Sequence, residues 1–179
     1  MNNFIFENKT KVYFGKGGVK EYLGCLLDHY GDTVMLAYGG GSIRRNGVYD
    51  EVMGILNAKG KRVVEFDRIM PNPTYAKAQE GAKLARENHV DLILAVGGGS
   101  VSDCCKVISA QANLDEDIWE MQYTKHTLPT KFIPLGTIVT VFGTGSEMNN
   151  GAVITNEEKK IKGALWGAQA EFAFLDPSY

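Results

Sequence analysis

The chain has 179 residues, of which 44% are hydrophobic and 22% are charged, as in a globular domain with a sizeable core. Its net charge of −2 argues against a general nucleic-acid-binding or membrane-surface protein. No apolar run is long enough to span a bilayer, and the start lacks the pattern of a signal peptide. We therefore expect a cytoplasmic protein with one domain, residues 1–179.

Strand-like and helix-like segments alternate through the first two thirds of the chain. The predicted strands are "KVYF", "TVMLAY", "RVVEF" and "DLILAV". The predicted helices between and after them cover residues 19–30, 48–59, 74–89, with Thr74 as the N-cap, and 101–112. This alternation predicts parallel strands joined by right-handed crossovers, and hence a doubly wound, Rossmann-like α/β domain.

The pattern changes after Asn113. The segments "FIPLGTIVTVFGTGSE", "GAVITN" and "FAFLD" are typical of strands and loops, with few helices. We expect an irregular, β-rich continuation of a mainly parallel sheet.

The tetrad Gly-Gly-Gly-Ser occurs twice, at residues 39–42 and 97–100, each time directly after an apolar strand. Ligands of open parallel sheets bind at the carboxyl ends of the strands. Glycines there let backbone amides approach an anion, and the dipole of a following helix favours negative charge. Neither tetrad has the usual dinucleotide or Walker spacing, so a phosphate site and a simple strand-to-helix turn both remain open.

The first tetrad also bears on the type of nucleotide. Sites that prefer NAD usually carry an acid after the second strand, to bind the ribose 2′-hydroxyl. Here Gly39–Ser42 and then Arg44 and Arg45 follow "TVMLAY" instead. This environment suits a 2′-phosphate, although the two arginines are equally consistent with a solvated helix surface.

The motifs "PNPT", "AVGGGSVSD", "GTGSE", "AVITNEEKKIK" and "FLDP", in this order, resemble the iron-containing (group III) alcohol dehydrogenases. The likeness is greatest to the NADPH-dependent butanol dehydrogenase and aldehyde reductase branch, and it covers the whole chain. It implies an α/β domain that binds a nicotinamide dinucleotide. A helical domain holding a divalent metal would follow it.

The resemblance also implies a role for each matching residue. The 2′-phosphate would contact Gly39, Gly40 and Ser42, and the pyrophosphate would contact Gly97, Gly98, Gly99 and Ser100, with Asp103 at the border of the site. Asn72 would lie near the adenine, Thr140 and Thr144 along the cleft, Lys162 at the nicotinamide ribose and Tyr179 near the nicotinamide.

Structural explanations compete with several of these roles. Asp103 is also a favourable acid near a helix start, and Lys162 stands among other lysines in a charged stretch. Thr140 and Thr144 are equally ordinary strand and turn residues, and we interpret Glu147 as structural.

The metal ligands of the family, an Asp and three His, lie beyond the segment that matches "LDP". The histidines of this chain, His29, His89 and His126, are far apart and in contexts unlike a metal site. It has three cysteines, and the adjacent pair Cys104 and Cys105 is best explained by packing. We therefore expect no metal here, and iron or zinc only in a helical domain that this chain lacks.

These features predict the cofactor-binding half of an enzyme that transfers hydride between NADP(H) and primary alcohols or aldehydes, such as butanol and butanal. The alternatives are a nucleotide-binding module without catalysis and a related NAD-dependent polyol dehydrogenase. The expected partner is a small alcohol or aldehyde, not nucleic acid or membrane. The segment "NFIFENKTKVYF" resembles one that pairs between subunits, which predicts a homodimer.

Overall fold

A computed structural model describes residues 3–5 and 7–179. Its strands are β1 Lys11–Phe14, β2 Thr33–Tyr38, β3 Arg62–Phe66, β4 Leu92–Gly97, β5 Leu135–Val139, β6 Gly151–Asn156, β7 Ile161–Trp166 and β8 Phe172–Leu175. Its helices are α1 Gly18–Leu27, α2 Ser42–Arg45, α3 Val48–Ala58, α4 Tyr75–Glu87, α5 Gly99–Gln111 and α6 Ile118–Tyr123. A 3-10 turn covers Ser146–Met148.

Six strands form one parallel sheet in the order β1-β8-β5-β4-β2-β3. The chain runs outward from β2 to β3 and then returns to place β4 on the other side of β2. The strand order therefore reverses between β2 and β4, which is where open α/β sheets bind ligands. Strands β6 and β7 form a separate antiparallel hairpin.

Apolar cores cover both faces of the sheet. On one face, side chains of α1, α2 and α3 pack on residues such as Leu36 and Leu94. On the other, α4, α5, α6 and the β6–β7 hairpin pack on residues such as Met35 and Ala95. Every residue of β2 and β4 is buried, which explains why these strands lack alternating polarity.

The structure confirms the doubly wound α/β class and each strand and helix predicted before Asn113, with bounds that shift by a few residues. Thr74 caps α4 as predicted, since its Oγ1 accepts from the Lys77 amide at 3.2 Å. None of the described helices is long and apolar enough to cross a membrane.

The part after Asn113 is more regular than predicted. Strands β5 and β8 lie inside the main sheet, and β6 and β7 form a hairpin packed on α5 instead of continuing the sheet. Helix α6 was not predicted. It has only six residues, too few for a readable 3.6-residue period, and it is anchored by its Asp117 cap and by the buried Ile118 and Trp119.

Candidate functional site

The two glycine tetrads leave the sheet side by side. Tyr38, the last residue of β2, is paired with Val96 of β4, so Gly39 and Gly97 follow from neighbouring positions. A Cβ atom on Gly39 would lie 3.2 Å from the Ile69 carbonyl oxygen and 3.8 Å from the Val101 side chain at the start of α5. Both tetrads therefore lie at the same edge of the sheet, at the switch point.

The second tetrad forms the entry to α5. Gly98 is the N-cap, and its carbonyl accepts from the amides of Val101 and Ser102. The preceding amides, of Gly99 and Ser100, belong to the first turn and have no acceptor within the helix. A Cβ on Gly99 would lie 2.6 Å from Thr144 Oγ1. Glycine is therefore required where the loop after β5 approaches these amides, and the result is a cradle suited to a phosphate.

A cavity of about 470 Å³ opens beside this cradle. Its walls come from α5, the loop after β5, the β6–β7 hairpin and the turn before α4. Among the predicted site residues it brings together Asn72, Gly99, Ser100, Asp103, Thr144 and Lys162.

The hairpin places Lys162 in this cavity. Thr155 of β6 donates its amide to the Pro73 carbonyl at 3.0 Å, and Lys162 is the partner of Thr155 on β7. Lys162 Nζ consequently reaches Asn72 Oδ1 at 2.7 Å. Because these two side chains touch, they would face one segment of a bound dinucleotide. This contact does not fit the expected separation, with Asn72 near the adenine and Lys162 at the nicotinamide ribose.

Asn72 has a backbone conformation that is costly for its position. Its φ is 54°, although it precedes a proline, a setting that favours extended backbone. Asparagine tolerates the left-handed region better than most residues. Strained residues of this kind concentrate at ligand sites, and this one aims its side chain at Lys162.

Asp103 holds the hairpin against α5. Its Oδ2 accepts from the Val153 amide at 2.9 Å, and its Oδ1 accepts from Ser146 Oγ at 2.5 Å. The side chain thus does more than favour a helix start, and it forms part of the cavity wall. Contact between Asp103 and a cofactor stays a prediction.

The first tetrad leaves open space for a ligand. No atom lies within 4 Å of a Cβ built on Gly40, and Ser42 is exposed. Arg44 is exposed but not free: it donates to Tyr38 Oη at 2.6 Å and to Glu65 Oε2 at 2.8 Å, and it lies 3.7 Å from the centre of the Tyr49 ring.

Glu65 is a residue of this region that the sequence analysis missed. It accepts from both Tyr38 and Tyr49. The hydrogen bond from Tyr38 is the main reason why the pKa of its carboxyl is lowered. Its position near the carboxyl end of β3, beside β2, is the signal that could have revealed it.

The remaining predicted residues lie outside the cavity, along the same edge of the sheet. The Gly97 carbonyl accepts from the Thr140 amide at 3.0 Å, so the loop after β5 abuts the second tetrad. Tyr179 follows β8, and its hydroxyl donates to Glu51 on α3 at 3.0 Å. Burial is the main cause that raises the pKa of Tyr179.

The model of the family described as "Iron-containing alcohol dehydrogenase" matches residues 9–177. The chain belongs to this family. The match includes every residue assigned to the site except Tyr179.

Relatives of this chain are named for both nicotinamide cofactors. It is 46% identical over 99% of its length to the "Probable NADH-dependent butanol dehydrogenase 1" of Bacillus subtilis, of which it covers 46%. It is 41% identical over its full length to the "NADPH-dependent aldehyde reductase YqhD" of Escherichia coli, and again covers 46% of that protein.

A solved structure confirms the fold. The NADH-dependent butanol dehydrogenase A of Thermotoga maritima superposes with a TM-score of 0.91 at 37% identity, over 99% of this chain and 45% of that one. The chain thus spans a little less than half the length of these proteins.

The residues described do not fit the iron that gives the family its name. Residues 3–5 and 7–179 contain no group of three or more His, Cys, Asp or Glu side chains able to hold a metal ion. Cys104 and Cys105 are buried in the core, and burial raises the pKa of the Cys104 thiol to about 12. Both cysteines act as apolar packing residues, as the sequence predicted.

Proposed function

We propose that this chain binds NADP(H) across the carboxyl ends of β2, β4, β5 and β8. As part of a longer protein, it would serve hydride transfer between NADP(H) and primary alcohols or aldehydes such as butanol and butanal. The observation that carries the proposal is the adjacency of the two glycine tetrads at the switch point, beside a cavity lined by Asn72, Asp103 and Lys162.

The order of features along the sheet edge suits an extended dinucleotide. The first tetrad follows β2, the second follows β4, Thr140 and Thr144 follow β5, and Tyr179 follows β8. With strands about 4.8 Å apart, this row spans roughly 14 Å. A dinucleotide lying along it would place its 2′-phosphate at Gly39, Gly40 and Ser42, its pyrophosphate at Gly97–Ser100, and its nicotinamide toward β5 and β8.

The chain supplies binding and orientation in this scheme. Amides of Gly99 and Ser100 would donate to the pyrophosphate, and the Lys162 ammonium would add positive charge and a hydrogen-bond donor at the cavity mouth. The nicotinamide, when bound, supplies the hydride chemistry. The described residues offer no metal site that could polarise the substrate oxygen.

Two features support NADP(H) over NAD(H). Open space at Gly40 and the exposed Ser42 hydroxyl leave room for a 2′-phosphate. Glu65, an acid of this neighbourhood, forms an ion pair with Arg44 at 2.8 Å. Relatives are named for NADH as well as for NADPH.

Calorimetric titration of the chain with NADPH and with NADH, in the same buffer, tests the preference. We expect tighter binding of NADPH, because only it carries the 2′-phosphate that the first tetrad would bind. Equal affinities, or a preference for NADH, would contradict it and would favour the NAD-dependent alternative.

The non-catalytic alternative makes a different prediction. A nucleotide-binding module would bind dinucleotide, but a longer protein containing it would not oxidise butanol. Activity of that longer protein toward butanal, dependent on NADPH, supports the enzyme.

The location, the partners and the oligomeric state of the protein are also proposals. We infer a cytoplasmic protein that acts on small alcohols or aldehydes, with no nucleic-acid or membrane partner.

We also infer a homodimer, supported by the exposed Phe4, Ile5 and Phe14 at the edge strand β1. Phe6, in the middle of the predicted pairing segment, lies outside the described residues. Light scattering of the purified chain tests the dimer.

A further inference from the structure

Lys106 is a charged residue with no exposed surface. It lies in the middle of α5, and its Nζ donates to Ser146 Oγ at 2.8 Å, to Asn149 Oδ1 at 3.0 Å and to the Gly151 carbonyl at 2.8 Å. An ammonium group has three protons, and each has an acceptor. Such complete pairing is what a buried charge requires.

The three acceptors belong to one segment, residues 144–151, which we name the cleft loop. Ser146, Asn149 and Gly151 all line the cavity beside the phosphate cradle. Lys106 therefore lies directly behind the cavity wall and ties the cleft loop to α5. Breaking this tie would release the surface against which a cofactor must fit.

Asp103 completes the cluster. Ser146 Oγ accepts from Lys106 and donates to Asp103, and Lys106 Nζ lies 3.7 Å from Asp103 Oδ1. Asp103 is one turn from the amides of Gly99 and Ser100, so an unbalanced carboxylate there would repel an anion bound to them. The Lys106 ammonium supplies the balancing charge.

We propose that Lys106 is a positioning residue of the cofactor site, whose ammonium holds the cleft loop on α5 and cancels the charge of Asp103 beneath the pyrophosphate. This inference rests on the proposed function, because it concerns the same cleft. It adds a residue that never touches the cofactor and acts through Ser146, Asn149, Gly151 and Asp103.

The cluster makes cofactor binding depend on pH. Burial lowers the pKa of Lys106 to about 8, while Asp103 and Glu147 of the 3-10 turn oppose that shift. Lys162 of β7 lines the same cavity, and β6 contributes the Gly151 carbonyl. The Ala168 amide, after β7, donates to the backbone carbonyl of Lys106. Above the pKa, neutral Lys106 loses one donor and leaves Asp103 unbalanced. Affinity for an anionic dinucleotide should therefore fall as pH rises through about 8.

The test is the dissociation constant for NADPH, measured on the full 179-residue chain at a series of pH values. For the wild-type chain we expect this dissociation constant to rise roughly tenfold between about pH 7 and about pH 9.5. A tenfold change corresponds to a coupling of one pKa unit between cofactor binding and protonation of Lys106. Lys106→Met keeps the length of the side chain but not the charge. It should bind about tenfold more weakly at neutral pH and show a flat profile.

Two further lysine variants separate positioning from general charge. Lys83→Met, on the exposed surface of α4, should keep the wild-type affinity and profile. Lys162→Met should bind more weakly while keeping the wild-type slope, because the Lys106 cluster stays intact. Hydrogen exchange of residues 144–151 should accelerate in Lys106→Met only.

The outcomes are distinct. A wild-type chain that fails to bind NADPH at neutral pH contradicts the proposed function and this inference with it. A wild-type chain that binds with a pH-independent constant contradicts only the role of Lys106. If Lys106→Met does not fold, the wild-type profile and an NMR titration of the Lys106 amine decide. An amine that stays charged across the range overturns the inference.

Discussion

At the scale of single residues, we expect Gly40 to decide whether the first tetrad accepts a 2′-phosphate. Its open surroundings accept a side chain without a clash. We predict that Gly40→Asp reverses the preference for NADPH, by roughly tenfold or more, because a carboxylate repels the phosphate and accepts from a 2′-hydroxyl. Titration of both cofactors checks this. Gly40→Ala adds a side chain without charge and should keep the wild-type preference.

Gly98 tests the second tetrad. We predict that Gly98→Val weakens the binding of NADPH and NADH alike, because the valine side chain would occupy space at the pyrophosphate cradle. Even a Cβ added to Gly98 would lie 3.3 Å from the Val141 side chain. Thermal unfolding should show that the variant folds. Unchanged affinity for both cofactors in a folded variant would mean that the tetrad is only a turn.

Motif order and spacing in the sequence indicated candidate site residues, whose contact with a cofactor stays a prediction. The tetrads, Asn72 and Lys162 were named from motifs, and the structure brings Asn72 and Lys162 into contact at 2.7 Å. Lys106 and Glu65 were missed because their importance arises from partners distant in sequence. A lysine in a helix is normally read as a solvated charge, and only packing reveals that this one is buried.

At the scale of elements, the close contact between α5 and the segment after β7 is sensitive to added volume. A Cβ on Gly167 would lie 2.4 Å from the Lys106 carbonyl oxygen. We predict that Gly167→Ala lowers the free energy of unfolding by about 1–3 kcal/mol, the usual cost of overpacking. Urea denaturation measures it.

Gly54, inside α3, provides the matched control. No atom lies within 4 Å of a Cβ built there, so Gly54→Ala should raise the free energy of unfolding by about 0.5–1 kcal/mol through helix propensity. Equal stability of the two variants would show that the contact at Gly167 is not tight.

Elements were predictable from the sequence in proportion to their length and periodicity. The strands β2 and β4 are continuous apolar runs, and α4 repeats alanine on one face, so both kinds of element were found. The six-residue α6 was missed, and the β6–β7 hairpin was taken for part of the sheet. Its placement depends on Asp103 and Lys106 bonding across to it, which no local pattern encodes.

At the scale of the whole molecule, the chain carries the proposed cofactor site, while its described residues hold no metal site. We predict that the 179-residue chain does not oxidise NADPH with butanal, even with iron or zinc added. Charge developing on the substrate oxygen would have no stabilising metal. Mass spectrometry must exclude contaminating enzyme, and metal-dependent turnover by the pure chain would show that the catalytic site lies within it.

The central claim is that a nicotinamide dinucleotide lies across both tetrads. Amide NMR spectra of this 19.6 kDa chain, recorded during titration with NADP+, test it most directly. We predict that the largest shifts occur at residues 39–42 and 97–100, with smaller shifts at Lys162 and Thr144. Saturable shifts confined to another surface, or no shifts at millimolar NADP+, would contradict the claim.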